Sequence, residues 1–257
     1  MILSRRVAID GAYLDEIHEA VVIQGIDTGV PSESLESTER MGGYGSRLTK
    51  QHWDTLDVHV RFGIDVRKDN LELRRQIWED VVKWARTSGW LTVSYMPDRR
   101  MYIDKAVLPA SGDLWRWTES FTITFRAYNV PFWSTITPTT VTADKFTSGS
   151  RVITVGGNAP GVLDILFENQ SGKTISDFEV IAGGNKLTLK GVNLAAAATL
   201  SITHSHDGIL RITAGTTSVL DKRTGADDLY VKPGDVTVTV SASRAGKLTI
   251  RNYGRYY

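Results

Sequence analysis

Residues 115–133 read WRWTESFTITFRAYNVPFW, and this stretch decides the fold. Between Phe121 and Ala127 every second residue is apolar, and the residues in between are threonine or arginine. Successive side chains point to opposite faces of a β-strand, so this alternation predicts a strand with one buried and one polar face. Pro131 has no N–H to offer a central ladder, and the strand should therefore end before it.

The distribution of tryptophan differs between the two halves of the chain. All seven tryptophans of the 257 residues lie at or before Trp133, and none follows it. A chain of this length is long enough for two ordinary domains. We predict an N-terminal domain over residues 1–134 and a C-terminal domain over residues 135–257.

The N-terminal part is predicted to combine β-strands with one helix. Residues 56–66 alternate in the same way as the opening stretch and predict the longest half-buried strand. Residues 70–88 carry an apolar stripe at helical spacing. Asp69 is the predicted N-cap of this helix, Glu72 stands in capping-box position, and Gly89 suits a left-handed C-terminal cap.

Shorter signals surround these two elements. Apolar runs predict strands at residues 7–9, 20–23, 91–93 and 101–103, and Pro97–Arg100 reads as the break between the last two. Residues 27–47 are polar and rich in glycine, which predicts a loop of about twenty residues. Loops of that length are usually functional or disordered.

The C-terminal part is predicted to be an antiparallel β-sandwich. Residues 135–149 are rich in Thr, Ser and Pro and can be interpreted as a linker or as a first edge strand. Beyond them, short β-like runs recur between glycine-containing turn signals with no helical pattern. These runs are residues 152–155, 163–167, 178–182, 186–189, 199–203, 210–213, 229–231, 236–240 and 248–250.

Composition excludes several classes of function. A formal net charge of +1 gives no general attraction to nucleic acid or to anionic membranes. The chain has no cysteine, which excludes disulfides and thiol chemistry. It has no run of about 18 apolar residues, so no membrane span is predicted. The N-terminal residues show no signal-peptide pattern.

Few residues suggest a catalytic or metal-binding role. His204 and His206, followed by Asp207, are conceivable ligands of a transition metal, but two polar residues on an exposed strand or turn explain them better. Carboxylate pairs such as Asp227 with Asp228, or Asp164 with Glu168, would serve a glycosidase only at a set separation across a cleft. We predict no enzyme activity, no catalytic residue, no cofactor and no metal site.

The order of features resembles the distal tail proteins of long-tailed (siphovirus-type) bacteriophages. The matching features are Ile9-Asp10-Gly11, the Gly/Arg loop at 40–47, the long alternating strand, the helix ending in Trp84-Ala85, Tyr95-Met96-Pro97-Asp98, the strand running into Pro131-Phe132-Trp133, and the stretch 228–235. Together they cover most of the chain, and their order is more specific than any one of them.

The resemblance implies a structural protein of the virion. Such proteins form a hexameric ring, here a homohexamer, at the distal end of the tail tube, and they join the tube to tail-tip, baseplate and host-attachment proteins. The implied fold is a tail-tube-like β-sandwich or barrel that forms the ring, followed by a galectin-like or carbohydrate-module-like sandwich. The implied partners are the tail-tube protein, the tail-tip hub protein, and a receptor-binding protein or host glycan. The implied location is the phage tail tip, after synthesis in the host cytoplasm.

Candidate site residues follow from residue type and from this resemblance. Arg40 and Arg47 flank a glycine-rich loop that contains Tyr44. All three are predicted to contact a neighbouring subunit, since Arg and Tyr are favoured interface anchors. Trp115 and Trp117 would share a strand face, one in the core and the other in the interface.

The alternative function is a glycan-binding module that adheres to host surface polysaccharide. The residues after 134 contain no tryptophan, and Tyr230 is the candidate glycan contact among the aromatic residues that remain. Whether Leu229 or Tyr230 faces solvent stays open at this stage.

Overall fold

The computed structural model describes residues 5–39, 46–67, 69–109 and 120–257. The chain divides into two compact units, Met1–Trp133 and Ser134–Tyr257. The predicted fold class, mainly β with one α-helix, is confirmed for the described residues. Within these ranges, no helix has the length and the apolar character needed to cross a membrane.

The first unit contains two four-strand arrays and a hairpin. Its elements are β1 Val7–Ile9, β2 Ala12–Tyr13, β3 Val21–Asp27, β4 Glu33–Glu39, β5 Ser46–Trp53, β6 Leu56–Ile64, α1 Leu71–Ala85, β7 Gly89–Val93, β8 Met96–Ile103, β9 Lys105–Val107 and β10 Phe121–Ala127. Strands pair in the order β2-β1-β7-β8 and in the order β3-β6-β10-β9, while β4 pairs with β5.

The opening stretch supplies the centre of the first unit. Strand β10 runs antiparallel to β6, with Phe121 opposite Phe62 and Ala127 opposite Leu56. The apolar faces of both strands are buried, which confirms the predicted alternation. On the polar face, the Arg126 guanidinium donates to both carboxylate oxygens of Asp57, its directly opposite neighbour.

Helix α1 packs on the apolar face of this sheet through its aromatic residues. The Trp78 ring lies 4.7 Å from the Phe121 ring and 6.3 Å from the Phe62 ring, measured between centroids. Trp84 lies edge-on to Phe125, and its Nε1–H donates to the Ala12 carbonyl at 2.8 Å. The apolar stripe therefore seals one face of the sheet by burying aromatic surface.

The predicted helix ends were wrong by a few residues. Asn70, rather than Asp69, is the N-cap, because its side chain accepts from the Leu73 N–H. Glu72 pairs with Arg75 along the helix instead of closing a capping box. Gly89 is not a helix cap and opens β7. A Cβ there would lie 2.2 Å from Asp10 Oδ2, so glycine makes room for the carboxylate that accepts from the Trp90 N–H.

Two predicted irregular segments contain strands. The predicted loop at 27–47 holds β4 and the start of β5, whose polar residues satisfy their backbone groups by pairing with each other. Pro97–Arg100 lies inside β8 rather than in a turn. Val93 pairs with Met96 and Leu91 with Met101, so residues 97–100 form a bulge, where the missing N–H of proline costs no ladder bond.

The second unit is built of antiparallel strands. They are β12 Thr139–Val155, β13 Gly161–Asn169, β14 Ile175–Ala182, β15 Asn185–Leu194, β16 Thr199–His204, β17 Leu210–Ala214, β18 Thr217–Ser218, β19 Arg223–Gly225, β20 Tyr230–Val231, β21 Gly234–Asn252 and β22 Arg255–Tyr256. Strand β11, Trp133–Thr135, lies at the boundary between the units. Residues 139–149 belong to an edge strand, which decides between the two interpretations of residues 135–149.

Strand β21 connects the two layers of this unit. It pairs with β12 along nearly its whole length, and on its other edge it pairs first with β14 and then with β13. The predicted runs 236–240 and 248–250 are thus one strand. Its inward residues join a single core with side chains from both layers, including Phe167 and Phe178 at 5.3 Å between ring centroids.

We expect Gly246→Ala to destabilise the second unit by about 1–3 kcal/mol, the usual cost of overpacking. Gly246 lies where β21 changes partners, and a Cβ there would come within 2.4 Å of both the Glu168 carbonyl oxygen and the Phe167 ring. Gly156→Ala is the control, because the nearest atom to its Cβ would be 3.8 Å away. Calorimetric unfolding would measure the difference, and equal effects of the two variants would contradict this packing argument.

Candidate functional site

Most of the predicted interface residues lie outside the described residues. This applies to Arg40, Tyr44, Trp115 and Trp117. The backbone of Arg47 lies in β5, opposite Thr38 of β4. The subunit-interface role of these five residues therefore remains a prediction.

The hairpin that carries Arg47 is fixed at its base. Glu33 pairs with Trp53 at the open end, and the Trp53 ring lies edge-on to Phe132 with centroids 6.0 Å apart. Asp54 accepts from the Ser34 hydroxyl at 2.6 Å, and this bond lowers the pKa of the Asp54 carboxyl. These contacts hold the base of the hairpin in a defined position in the first unit.

Beyond its base, the hairpin is a separate two-stranded sheet. Among the described strands, β4 and β5 pair only with each other. An isolated two-stranded hairpin is marginally stable in water, and unpaired strand edges readily accept another chain. We therefore take the hairpin as the candidate contact surface of the first unit.

Tyr230 lies on the surface of the second unit. The residue is 56% exposed, while its neighbours Leu229 and Val231 are buried, so Tyr230 rather than Leu229 faces solvent. Tyr230 lines an open groove of about 780 Å³. The other lining residues are Pro160, Gly183, Asn185, Val231, Lys232, Pro233, Asp235, Val236 and Thr237.

Behind Tyr230 lies a buried ionic cluster centred on His204. The imidazole donates from Nδ1 to Asp164 at 2.9 Å and from Nε2 to Asp228 at 2.6 Å. Its side chain is only 6% exposed. Burial opposes the charged imidazolium, but the two carboxylates outweigh burial and raise the pKa of His204 to about 9.

The charges around this cluster are mutually compensated. Burial opposes ionisation of Asp228, yet the bond from His204 keeps the pKa of its carboxyl below the usual value. Burial lowers the pKa of Arg255, which faces Tyr230, Asp228 and Asp164. Partial burial, together with the negative charge of Asp228, raises the pKa of the Tyr230 hydroxyl. The cluster fixes the segment that carries Tyr230.

The other candidate residues have structural partners. Asp164 and Asp228, one from each predicted carboxylate pair, both bond to the His204 imidazole. Asp227 pairs with Arg223 at 2.9 Å. Asp207, next to His206, accepts from the Ser205 hydroxyl in the turn after β16. In the described part of the chain, no group of three or more His, Asp or Glu side chains is placed to hold a metal ion.

Sequence reasoning missed both the His204 cluster and the polar lining of the groove. The partners of His204 lie 40 and 24 residues away along the chain, so no local spacing signals them. Gly183-Gly184-Asn185 was interpreted only as one of the glycine-containing turns between strands, although Gly183 and Asn185 line the groove.

The described residues thus define a two-unit, mainly antiparallel β-protein with a separate hairpin in the first unit and a groove in the second. No protein-family model matches the chain, and no curated protein does. The same fold occurs in the Dit (gp 19.1) protein of phage SPP1, described as a paradigm of the hub adsorption apparatus in phages that infect Gram-positive bacteria. That structure superposes with a TM-score of 0.67 at 16% identity, covering 98% of this chain and 99% of that chain.

Two baseplate structures of phage P2 are more distant. The activated baseplate with Ca and the one with Sr each give a TM-score of 0.45, at 11% and 12% identity, over 97% of this chain. They cover 98% and 97% of the matched chains. The likeness to SPP1 Dit is the stronger one and shows a shared fold. It confirms, at the level of the fold, the resemblance to distal tail proteins.

Proposed function

We propose that this chain is a structural protein of a phage tail that forms a homohexameric ring at the distal end of the tail tube. It joins the tube to tail-tip or baseplate proteins and to host-attachment proteins. The observation that carries this proposal is the fold shared with SPP1 Dit over almost the whole length of both chains. A shared fold alone does not define a function, so the assembly itself has to be tested.

The first unit offers a physical basis for the ring. A closed ring uses heterologous contacts, in which one surface of each copy meets a different surface of the next. The β4–β5 hairpin suits such a contact, since its strands pair only with each other among the described strands. In this proposal the hairpin with Arg47 contacts the neighbouring subunit, together with Arg40 and Tyr44 from the sequence between its two strands, and Trp115 or Trp117 adds aromatic contact area.

The proposed partners are the tail-tube protein on one side of the ring and the tail-tip hub protein on the other. The second unit is proposed to be a galectin-like domain that holds a receptor-binding protein or meets the host surface. The proposed location is the tail tip of the virion, after synthesis in the host cytoplasm. No reaction is assigned to the chain.

We expect the purified chain to elute as a species near six times 28.4 kDa, and negative-stain images of that peak to show rings. Replacing residues 36–50 by Asn-Gly should convert it to a monomer. Leu35 and Gln51 pair directly, so a two-residue turn closes the shortened hairpin in register. Light scattering after size exclusion is the measurement.

Arg211→Ala is a control for this experiment, because Arg211 is an exposed residue of the second unit and should leave the ring intact. Unfolding of the first unit, followed by tryptophan fluorescence, should be the same in the shortened variant as in the wild-type chain. A ring that survives the shortening would contradict the role of the hairpin. A wild-type chain that stays monomeric at high concentration would contradict self-assembly.

A further inference from the structure

The groove beside Tyr230 lies where three connections of the second unit meet. Pro160 comes from the connection between β12 and β13, Gly183 from that between β14 and β15, and Pro233 from that between β20 and β21. Connections held by a rigid β scaffold are common places for binding residues. A volume of about 780 Å³ falls within the range of small-molecule sites.

The aromatic surface in this groove is held in place. Tyr230 exposes 56% of its surface, while Leu229 and Val231 on either side are buried in the core. Burial and the negative charge of Asp228, which accepts from His204 at 2.6 Å, raise the pKa of the Tyr230 hydroxyl, so this end of the ring lies beside the buried cluster. A ring fixed in this way loses little conformational freedom when a ligand stacks on it.

The polar groups of the groove keep hydrogen-bonding capacity. Asn185 uses Nδ2 to donate to the Tyr230 carbonyl at 3.0 Å, and Asp235 uses Oδ1 to accept from Thr154 at 2.7 Å. An amide and a carboxylate each have further sites, and these match hydroxyl groups, which both donate and accept. Lys232 and Asp235 bring opposite charges to the lining, which favours a neutral ligand.

An extended peptide fits this place less well. Strand addition needs free backbone groups at a sheet edge, and the carbonyl of Tyr230 already accepts from Asn185. Gly183 also lies against this backbone, since a Cβ there would come within 2.6 Å of the same oxygen. The edge of β20 is therefore closed to an added strand, while the Tyr230 ring stays open.

We propose that the groove lined by Tyr230, Asn185, Lys232 and Asp235 binds a neutral oligosaccharide. The apolar face of one sugar unit stacks on the Tyr230 ring, and its hydroxyls bond to the Asn185 amide and the Asp235 carboxylate. This inference concerns the second unit and does not depend on whether the chain forms a ring.

The test is calorimetric titration of the full chain with chitotriose, maltotriose and a galactose trisaccharide at millimolar concentration. We expect at least one of them to bind, and Tyr230→Ala to weaken that binding about tenfold through loss of the stacked ring. Tyr230→Phe keeps the ring and should retain binding. Tyr128→Ala, which removes a 44% exposed tyrosine from the first unit, is the matched control and should bind like wild type.

Each outcome is decisive. Loss of binding in Tyr230→Ala, with retention in Tyr230→Phe and Tyr128→Ala, supports the site. Absence of binding to all three sugars overturns it, as does binding that Tyr230→Ala leaves unchanged. If Tyr230→Ala fails to fold, Lys232→Ala and Asp235→Asn replace it, and unchanged affinity in both would overturn the proposal. The elution volume of each variant tests the ring separately.

Discussion

A His204→Leu variant should lose about 3–5 kcal/mol of stability in the second unit, the usual cost of removing one partner from a buried ion pair. The imidazolium is the shared hydrogen-bond donor of Asp164 and Asp228, whose side chains are only 16% and 9% exposed. Leucine fills much of the volume of histidine but donates no hydrogen bond. Two carboxylates would then lie partly buried without their common hydrogen-bond donor. Their desolvation would no longer be compensated, and this lowers the free energy of unfolding.

The tryptophan distribution allows this effect to be assigned to one unit. All seven tryptophans lie in the first unit, so their fluorescence follows its unfolding, whereas calorimetry follows both units. We expect the calorimetric transition of the second unit to shift and the fluorescence transition to stay. His206→Leu is the matched control, because His206 is exposed and should change stability by less than about 0.5 kcal/mol. A similar loss of stability in both variants would contradict the contribution of the His204 cluster to the stability of the second unit.

The same cluster predicts a pH dependence. The pKa of His204 rises from 6.5 to about 9 on folding, so its contribution is fully present below pH 6.5 and is lost as the pH rises through 9. The pKa of Asp228 is lowered on folding, so its contribution is present above its ordinary value of 3.8 and is lost in stronger acid. The second unit should be most stable between about pH 5 and 6.5. His204→Leu should remove the decline between pH 6.5 and 9.

A Phe62→Ala variant should lose about 3–5 kcal/mol in the first unit. Phe62 is fully buried on β6, opposite Phe121, and its ring lies within 6.3 Å of the Trp78 ring and 5.5 Å of the Phe121 ring. Truncation would leave a cavity between the sheet and α1 that these rigid neighbours fill poorly. Tryptophan fluorescence in a urea titration should report the loss directly, because Trp78 is part of this cluster.

Val30→Ala is the control for that measurement. Val30 is 71% exposed, so the loss of its methyl groups should change the free energy of unfolding by less than about 0.5 kcal/mol. If Phe62→Ala were as mild as Val30→Ala, the sheet and helix would not share the tightly packed core that their ring contacts indicate.

Glycine and proline positions show where local signals were misleading. Gly89 follows a helix, so it was interpreted as a cap, but its role is to leave room for Asp10, a residue distant in sequence. Pro97 was interpreted as a break, but a bulge accommodates it inside β8. In both cases the residue has the conformational preference that was assigned to it. Its structural role, however, is determined by a partner across the sheet.

The sequence by itself determined the strands and the helix in which buried side chains recur at a regular spacing. The alternation in residues 56–64 and 121–127 predicted two strands, the apolar stripe predicted α1, and the absence of tryptophan after Trp133 marked the change between the units. These signals are local, because a side chain that alternates or recurs at helical spacing must share its face with its near neighbours.

The tertiary structure alone decided which distant groups meet. It joined His204 to Asp164 and Asp228, brought Asn185 to the backbone of Tyr230, and turned Tyr230 outward while Leu229 went into the core. Strand register and the folding of β21 between two layers determine these contacts. A sequence pattern cannot show them, because a shift of one residue in register exchanges the buried and exposed faces of a strand.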